Sequence, residues 1–303
     1  MAYQHDPVLA SEAADFLNLA DGQTVVDATL GGGGHTLKIK DQKSKVKIIG
    51  FDQDADALAA AKKNLAAFAD VAYVHDNFAR LKDHLAGPVD GILFDLGVSS
   101  HQLDEGARGF SLQHDGPLDM RMDRNAKLSA ADLINNWPED KLAKLFYEYG
   151  EEKFSRRIAK AICSARDEGR EPETGNWKPG TRERNGIQTT FQLKEIVEKA
   201  IPTWKKRESV TRIFQALRIA VNDELNVLKK ALEQAIELLK PGGRIVVISY
   251  HSLEDRAVKQ MFRESAKNGR LKILTKKPLT AGAAELAVNP RARSAKLRAA
   301  EKS

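Results

Sequence analysis

Short apolar runs alternate with helically spaced ones along the first hundred residues. Residues 24–28, 47–51, 71–74 and 89–94 have the length and composition of buried strands. The second and fourth end directly on aspartates, Asp52 and Asp95. Between the second and third, Leu58, Ala61, Leu65 and Phe68 recur at the spacing of one helix face. Strands alternating with helices predict a parallel sheet covered on both faces. From about residue 105 to 211 this rhythm breaks. Helices are predicted there, one carrying Ala143, Phe146 and Tyr147 and another Phe154, Ile158 and Ile162, with no convincing strand. Residues 167–188, where Gly169, Pro172, Gly175 and Pro179 stand among charges, predict a long exposed loop. The alternation then returns. A helical stripe of Leu225, Leu228, Leu232, Ile236 and Leu239 stops at Pro241-Gly242-Gly243, and residues 244–250 predict a fifth strand. Ser252 is placed to cap a helix over 253–266 with Glu254 and Asp255 in its first turn, and residues 271–274 predict a sixth strand. The chain therefore divides into an α/β domain, residues 1–104 and 212–303, interrupted by a mostly helical domain at 105–211.

Composition narrows the function classes. With 303 residues, 42% hydrophobic and 30% charged, the chain is globular with a sizeable core, which excludes a disordered or rod-like protein. A single cysteine, Cys163, excludes an internal disulfide and a Cys-built zinc site, and no metal is expected. No apolar run reaches membrane length and the N-terminus lacks a signal-peptide pattern, so a cytoplasmic protein without a membrane role is expected. Net charge is +6, but the segment from Lys267 onward has ten Lys or Arg and two Glu, leaving the rest slightly acidic. Such a basic end predicts either a tail that meets a polyanion or a merely solvated one.

The candidate chemistry gathers at strand ends. Asp27-Ala28-Thr29-Leu30 leads into Gly31-Gly32-Gly33-Gly34-His35 between the first strand and the first helix after it. Glycines there let backbone approach a ligand, and a following helix offers free N–H groups. Asp52 at the tip of the second strand can accept both hydroxyls of a ribose. A dinucleotide would need G-x-G-x-x-G, and Thr36 occupies the last glycine position. S-adenosyl-L-methionine has no phosphate and needs separate partners around the same edge. Gly33, Gly34 and His35 suit its methionine end, Asp52 its ribose and Phe78 its adenine face, although Phe78 can equally be a core aromatic. Asp76 can accept from the adenine amine or simply be solvated. Asp95 favours the sulfonium electrostatically.

The longer strings go further. His5-Asp6-Pro7-Val8-Leu9, Phe94-Asp95-Leu96-Gly97-Val98-Ser99-Ser100, Arg108-Gly109-Phe110 and Asp115 through Asp123 occur in order. Tyr149-Gly150-Glu151-Glu152, Phe214 through Ile219, Val221-Asn222, His251 through Arg256 and Asn289 through Ser294 follow. On these strings the chain resembles the bacterial RsmH (MraW) family of ribosomal RNA small-subunit methyltransferases. The resemblance implies a Rossmann-like class I S-adenosylmethionine-dependent methyltransferase fold with an inserted, mostly helical domain. It implies methyl transfer to the N4 amine of a decoding-centre cytosine of 16S rRNA in the small ribosomal subunit, and it is compatible with a homodimer. It places cofactor contacts at Gly33, Gly34, His35, Asp52, Phe78, Asp95 and Gln102, the last on the resemblance alone.

Three features depart from the family pattern: His101 in place of Pro, Glu208-Ser209-Val210-Thr211-Arg212 in place of His-Pro-Ala-Thr-Arg, and a longer 167–188 loop. All lie in or beside the insertion and bear on substrate docking. The group that activates the cytosine amine is open among Asp95, Asp119 and His251. Asp119 can instead pair with Arg121 or Arg124, and His251 can instead cap the next helix. For RNA, Arg108, Phe110 and Arg121 are candidate base contacts, unless Phe110 is core and the arginines are paired. Arg291, Arg293, Lys296, Arg298 and Lys302 are candidate phosphate contacts.

Overall fold

The computed structural model describes residues 7–99, 105–168 and 186–303. Gln102, His101 and most of the 167–188 loop lie outside the described residues. The chain forms two compact units, Met1–Ser99 with Leu225–Ser303, and Ser100–Glu224.

The first unit is built on one seven-stranded sheet. Its strands are β1 (Thr24–Asp27), β2 (Lys47–Asp52), β3 (Val71–His75), β4 (Val89–Asp95), β5 (Leu239–Ser249), β6 (Leu271–Ile273) and β7 (Lys296–Lys302). Their order is β3-β2-β1-β4-β5-β7-β6. β1 to β5 pair in parallel, whereas β7 runs antiparallel to both β5 and β6. This is the Rossmann-like sheet that the sequence leads one to expect. Period-two alternation explains both cores. Val25, Ile48, Leu93, Val246, Ile248, Leu297 and Ala299 face one side. Val26, Phe51, Ile92, Phe94, Ile245, Val247 and Ala300 face the other. The first side is covered by α1 (Ala10–Leu17), α2 (Gly34–Gln42) and α3 (Ala55–Asn64), through Leu17, Ile39 and Leu58. On the other side lies α4 (Leu81–His84), with Leu81 buried.

The second unit follows β4 in the chain. It contains α5 (Ala130–Asn136), α6 (Glu139–Glu148), α7 (Ser155–Glu168), α8 (Thr190–Ala200) and α9 (Lys206–Asn222). Capping boxes start two of them: Ser129 with Asp132 at α5 and Thr189 with Gln192 at α8. The domain boundary expected at 211/212 falls inside α9. That helix is continuous and packs on α6 and α8, so the helical unit extends to Glu224. The chain returns to the first unit in α10 (Glu224–Leu238), whose Leu228, Leu232 and Ile236 are buried in the second core, followed by α11 (Ser252–Lys267) and the short α12 (Ala283–Val288). Among the described residues no helix is long and apolar enough to cross a membrane.

The basic C-terminal segment is not a tail. β7 sits between β5 and β6 with Leu297, Ala299 and Ala300 fully buried. Arg298 is only 6% exposed and its guanidinium binds the Asp255 carboxylate at 2.6 and 3.2 Å. Lys296 also faces Asp255, and Lys302 donates to the Ile236 carbonyl. The expectation that these three side chains meet phosphates is therefore corrected: they fasten a strand. Only Arg291 and Arg293 of that set are exposed.

Candidate active site

The sheet topology singles out one crevice. From β1 the order runs outward through β2 to β3, and from β4 it runs the other way through β5. Ligands bind such sheets beyond the carboxyl ends of the strands, where the order reverses. The loop after β1, Asp52 ending β2 and Asp95 ending β4 all sit on that carboxyl edge.

The glycine loop is held from three sides. The Leu30 N–H donates to the Phe51 carbonyl at 2.8 Å, the Gly31 N–H to Asp52 Oδ2 at 2.8 Å, and the Asn64 amide to the Gly32 carbonyl at 2.9 Å. Gly33 has φ +86°, and a Cβ there would lie 2.7 Å from Leu65 Cδ1. Only glycine meets both constraints without a shift of the core. Gly33 leads directly into α2, and no side chain caps that helix end. Its first N–H groups, beginning at Gly34, therefore suit a carboxylate.

Asp52 is the most telling residue of the edge. Its Oδ2 accepts from Gly31 and its Oδ1 from the Asp54 N–H, each at 2.8 Å. Burial pushes its carboxyl up to about 6, against the pull of those two N–H donors. A carboxylate has about four acceptor positions. A desolvated carboxylate carrying one backbone donor on each oxygen fits a ligand that brings a pair of hydroxyls, as a ribose does.

Asp95 belongs to a small network. Tyr250 Oη donates to its Oδ1 at 2.7 Å, His35 Nδ1 lies 3.6 Å from its Oδ2, and its own N–H donates to Thr29 Oγ1 at 2.6 Å. The other His35 nitrogen, Nε2, bonds the Val8 carbonyl at 2.9 Å, so the buried ring is fixed at both ends. Burial, and then the charge and hydrogen bond of Asp95, push the Tyr250 phenol far up, so it stays a neutral donor. Behind them, Asp27 is fully enclosed and takes the Thr36 hydroxyl at 2.8 Å. Burial raises its carboxyl, with the Thr36 bond and the charge of His35 opposing.

Phe78 is half-buried and packs edge-on against Phe94, with ring centroids 5.7 Å apart. It is part of the core and still partly open. Asp76 accepts from His84 Nε2 at 2.7 Å and pairs with Arg80 at 3.1 Å. Burial opposes its ionisation, but His84, the Asn77 N–H and Arg80 hold the carboxyl below its ordinary range.

Of the remaining candidates, Asp119 is taken up by an arginine and His251 uses its Nδ1 as a helix cap. Arg121 grips Asp119 through Nε at 2.6 Å and a second nitrogen at 2.8 Å. Burial opposes the charge, yet those bonds keep Asp119 below the usual carboxylate range. The His251 side chain accepts from the Glu254 N–H while Glu254 returns a bond to the His251 N–H, a capping box at the start of α11. His251, and not Ser252, is thus the cap. The expected RNA contacts at the start of the insertion also fail. Arg108, 4% exposed, donates to the Arg121 and Met122 carbonyls, and Phe110 is buried. With Arg121 bound to Asp119, the polar groups of both arginines are used within the unit.

Sequence reasoning missed Tyr250, Thr29, Thr36 and Asn64. Tyr250 carried a usable signal: it follows the fifth strand as Asp95 closes the fourth, and Asp95 pairs with Ile248 in the sheet register. Asn64 and Thr36 lie within helices, where spacing alone does not reveal what they reach.

Comparison with known proteins gives the family. The profile of the MraW methylase family matches residues 2–303. The chain is 46% identical to the ribosomal RNA small subunit methyltransferase H of Carboxydothermus hydrogenoformans, covering 100% of this chain and 99% of that one. It is 47% identical to the protein of the same name from Symbiobacterium thermophilum, covering 100% and 98%. It also resembles a solved rRNA methylase from Streptococcus thermophilus at 13% identity and a TM-score of 0.46, over 100% of this chain and 99% of that one. On its full-length match, the chain belongs to the MraW methylase family, whose methyl donor is S-adenosyl-L-methionine.

Proposed function

We propose that the protein methylates the exocyclic N4 amine of cytosine 1402, in the decoding centre of 16S rRNA, acting in the cytoplasm on the small ribosomal subunit. Family membership over the whole chain carries this reading. The carboxyl edge of the sheet supports it. Bound there, S-adenosylmethionine supplies a methyl group on a cationic sulfur. Asp52 accepts the ribose hydroxyls, Gly33 and Gly34 receive the carboxylate at the start of α2, and Phe78 lies against the adenine. His35 acts through its place in the Asp95 network and its backbone at the helix start. Gln102 remains assigned by resemblance.

Cytosine N4 is a weak nucleophile because its lone pair is conjugated with the ring. The protein must align the amine and receive its proton as it reacts. Asp95 is the candidate that closes a strand on the carboxyl edge beside the glycine loop, whereas Asp119 is bound by Arg121. Tyr250 and Thr29 fix its orientation. The inserted helical unit is the substrate-recognition domain in this reading. The test is mass mapping of methylated nucleosides in 16S rRNA from cells with and without the protein, followed by restoration with the purified protein. Loss and recovery of N4-methylcytidine at that position is expected. A full complement of it without the protein overturns the assignment.

A further inference from the structure

The helical unit carries a surface that its own folding does not explain. Trp204 is 77% exposed, in a short turn (Thr203–Lys205) that leads into α9. A large apolar ring left in water loses the burial that makes tryptophan stabilising. Lys205 Nζ lies 5.1 Å from the centre of that ring. Lys206 and Arg207 follow, and among the described residues neither forms an ion pair. They occupy the first turn of α9, where the helix dipole already presents positive charge and cations are unfavourable. Glu208 is the acid of that turn, pairing with Lys205 and Arg212. Lys153 lies close enough to Glu208 to help depress its carboxyl. Arg156 and Arg157, exposed in the first turn of α7, follow Lys153 in the chain.

We propose that Trp204, with Lys205, Lys206, Arg207 and Lys153, is a docking surface for single-stranded RNA. An unpaired base stacks on the Trp204 ring and the surrounding cations meet the flanking phosphates. An exposed aromatic set among lysines and arginines is the combination that holds unpaired nucleic acid with little sequence preference. Charge complementarity commits the surface to a polyanion, and the tryptophan selects one with accessible bases over a duplex. The inference deepens the proposed rRNA activity and rests on it. It replaces Arg108, Phe110 and Arg121, which are buried or paired.

Two measurements test it. Titration of the full-length protein with a short single-stranded RNA of mixed sequence should quench tryptophan fluorescence, and W204F should lose most of the quench. W204A should weaken that RNA about 5- to 150-fold, the range for one lost base stack, with W204F recovering part of the affinity. K206A and R207A should each flatten the log–log salt slope by about 0.7 if each meets one phosphate. Thermal unfolding of W204A should match the wild type, because the ring is exposed. Wild-type affinity and salt slope in W204A and in the double variant K206A/R207A would overturn the proposal and turn the surface over to a protein partner. Methylation of 16S rRNA by the wild-type protein is scored separately. Its absence sinks the functional reading, whereas its presence with an unchanged KM for rRNA in W204A sinks this surface alone.

Discussion

Two basic stretches of similar appearance meet opposite fates. Residues 296–302 and 204–207 both combine lysine or arginine with apolar residues. The first becomes β7, with Arg298 sealed against Asp255 and Lys302 bound to a carbonyl. The second stands at the start of α9 with Trp204 in water. Net charge is the same kind of signal in both. What differs is alternation: Leu297 and Ala299 face one core and Ala300 the other, so burial captures the strand and its charges must find partners. At 204–207 no such apolar pair drives burial, and the charges stay at the surface. A run of positive residues therefore says little about polyanions until the sheet has claimed what it needs.

The sharpest break of this comparison is deletion of residues 289–303. Removing an internal strand should cost an amount comparable to the whole stability of a domain, roughly 5–15 kcal/mol, and leave no cooperative thermal transition. A folded, cofactor-binding product with altered RNA affinity alone would restore the tail reading. Arg298→Ala comes next. It leaves the largely buried Asp255 with only Lys296 at 3.9 Å and should cost up to about 3–5 kcal/mol in denaturant unfolding. A loss within the noise would show that water reaches the pair.

The carboxyl edge gives intermediate effects. Asp52→Ala should weaken S-adenosylmethionine by about 1.5–3 kcal/mol, read by calorimetry, through loss of hydrogen bonds to a charged acceptor. Asp52 also predicts a pH dependence. Its carboxyl is raised from 3.8 to about 6, so between those values the folded protein holds a proton that the unfolded chain has released. Stability of the ligand-free protein should therefore fall as pH rises through that window. Ribose hydroxyls favour the ionised form, so cofactor affinity should fall as pH drops below about 6, by up to about tenfold per unit. A flat affinity profile from pH 5 to 8 would remove Asp52 from the ribose site. Smallest are Lys206→Ala and Arg207→Ala, each expected within about 0.5 kcal/mol of wild-type stability because among the described residues neither side chain forms an ion pair, Arg207 being exposed and Lys206 half-buried. A larger loss would place them with Arg298 as structural charges.

Much of the edge was legible because its constraints are local. A glycine run between a strand and a helix, and aspartates at two strand tips, announce their positions by spacing. Phe78 and Asp76 were only half legible. Spacing places them just past β3, but whether Phe78 packs on Phe94 or Asp76 is taken by His84 and Arg80 depends on distant neighbours. Tyr250 was half legible for the same reason: its place just past β5 can be read from spacing, but its partner Asp95 is brought to it by the pairing of β4 with β5.

The sequence by itself determined the alternating α/β order, the helical insertion, the glycine loop and the acidic strand tips, since each follows from periodicity or from the conformations a residue type allows. The tertiary structure alone decided that the C-terminal residues form a strand, that α9 belongs wholly to the helical unit, and that Arg108 and Asp119 serve the fold. β7 has alanines and charges where strands favour branched and aromatic residues, so its own propensity is weak. Its place comes from hydrogen bonds to β5 on one side and β6 on the other, and from a buried arginine whose partner lies 43 residues away in the chain. Such long-range pairings leave no periodic trace in the sequence, because the two halves of each bond are set independently and meet only when the sheet closes.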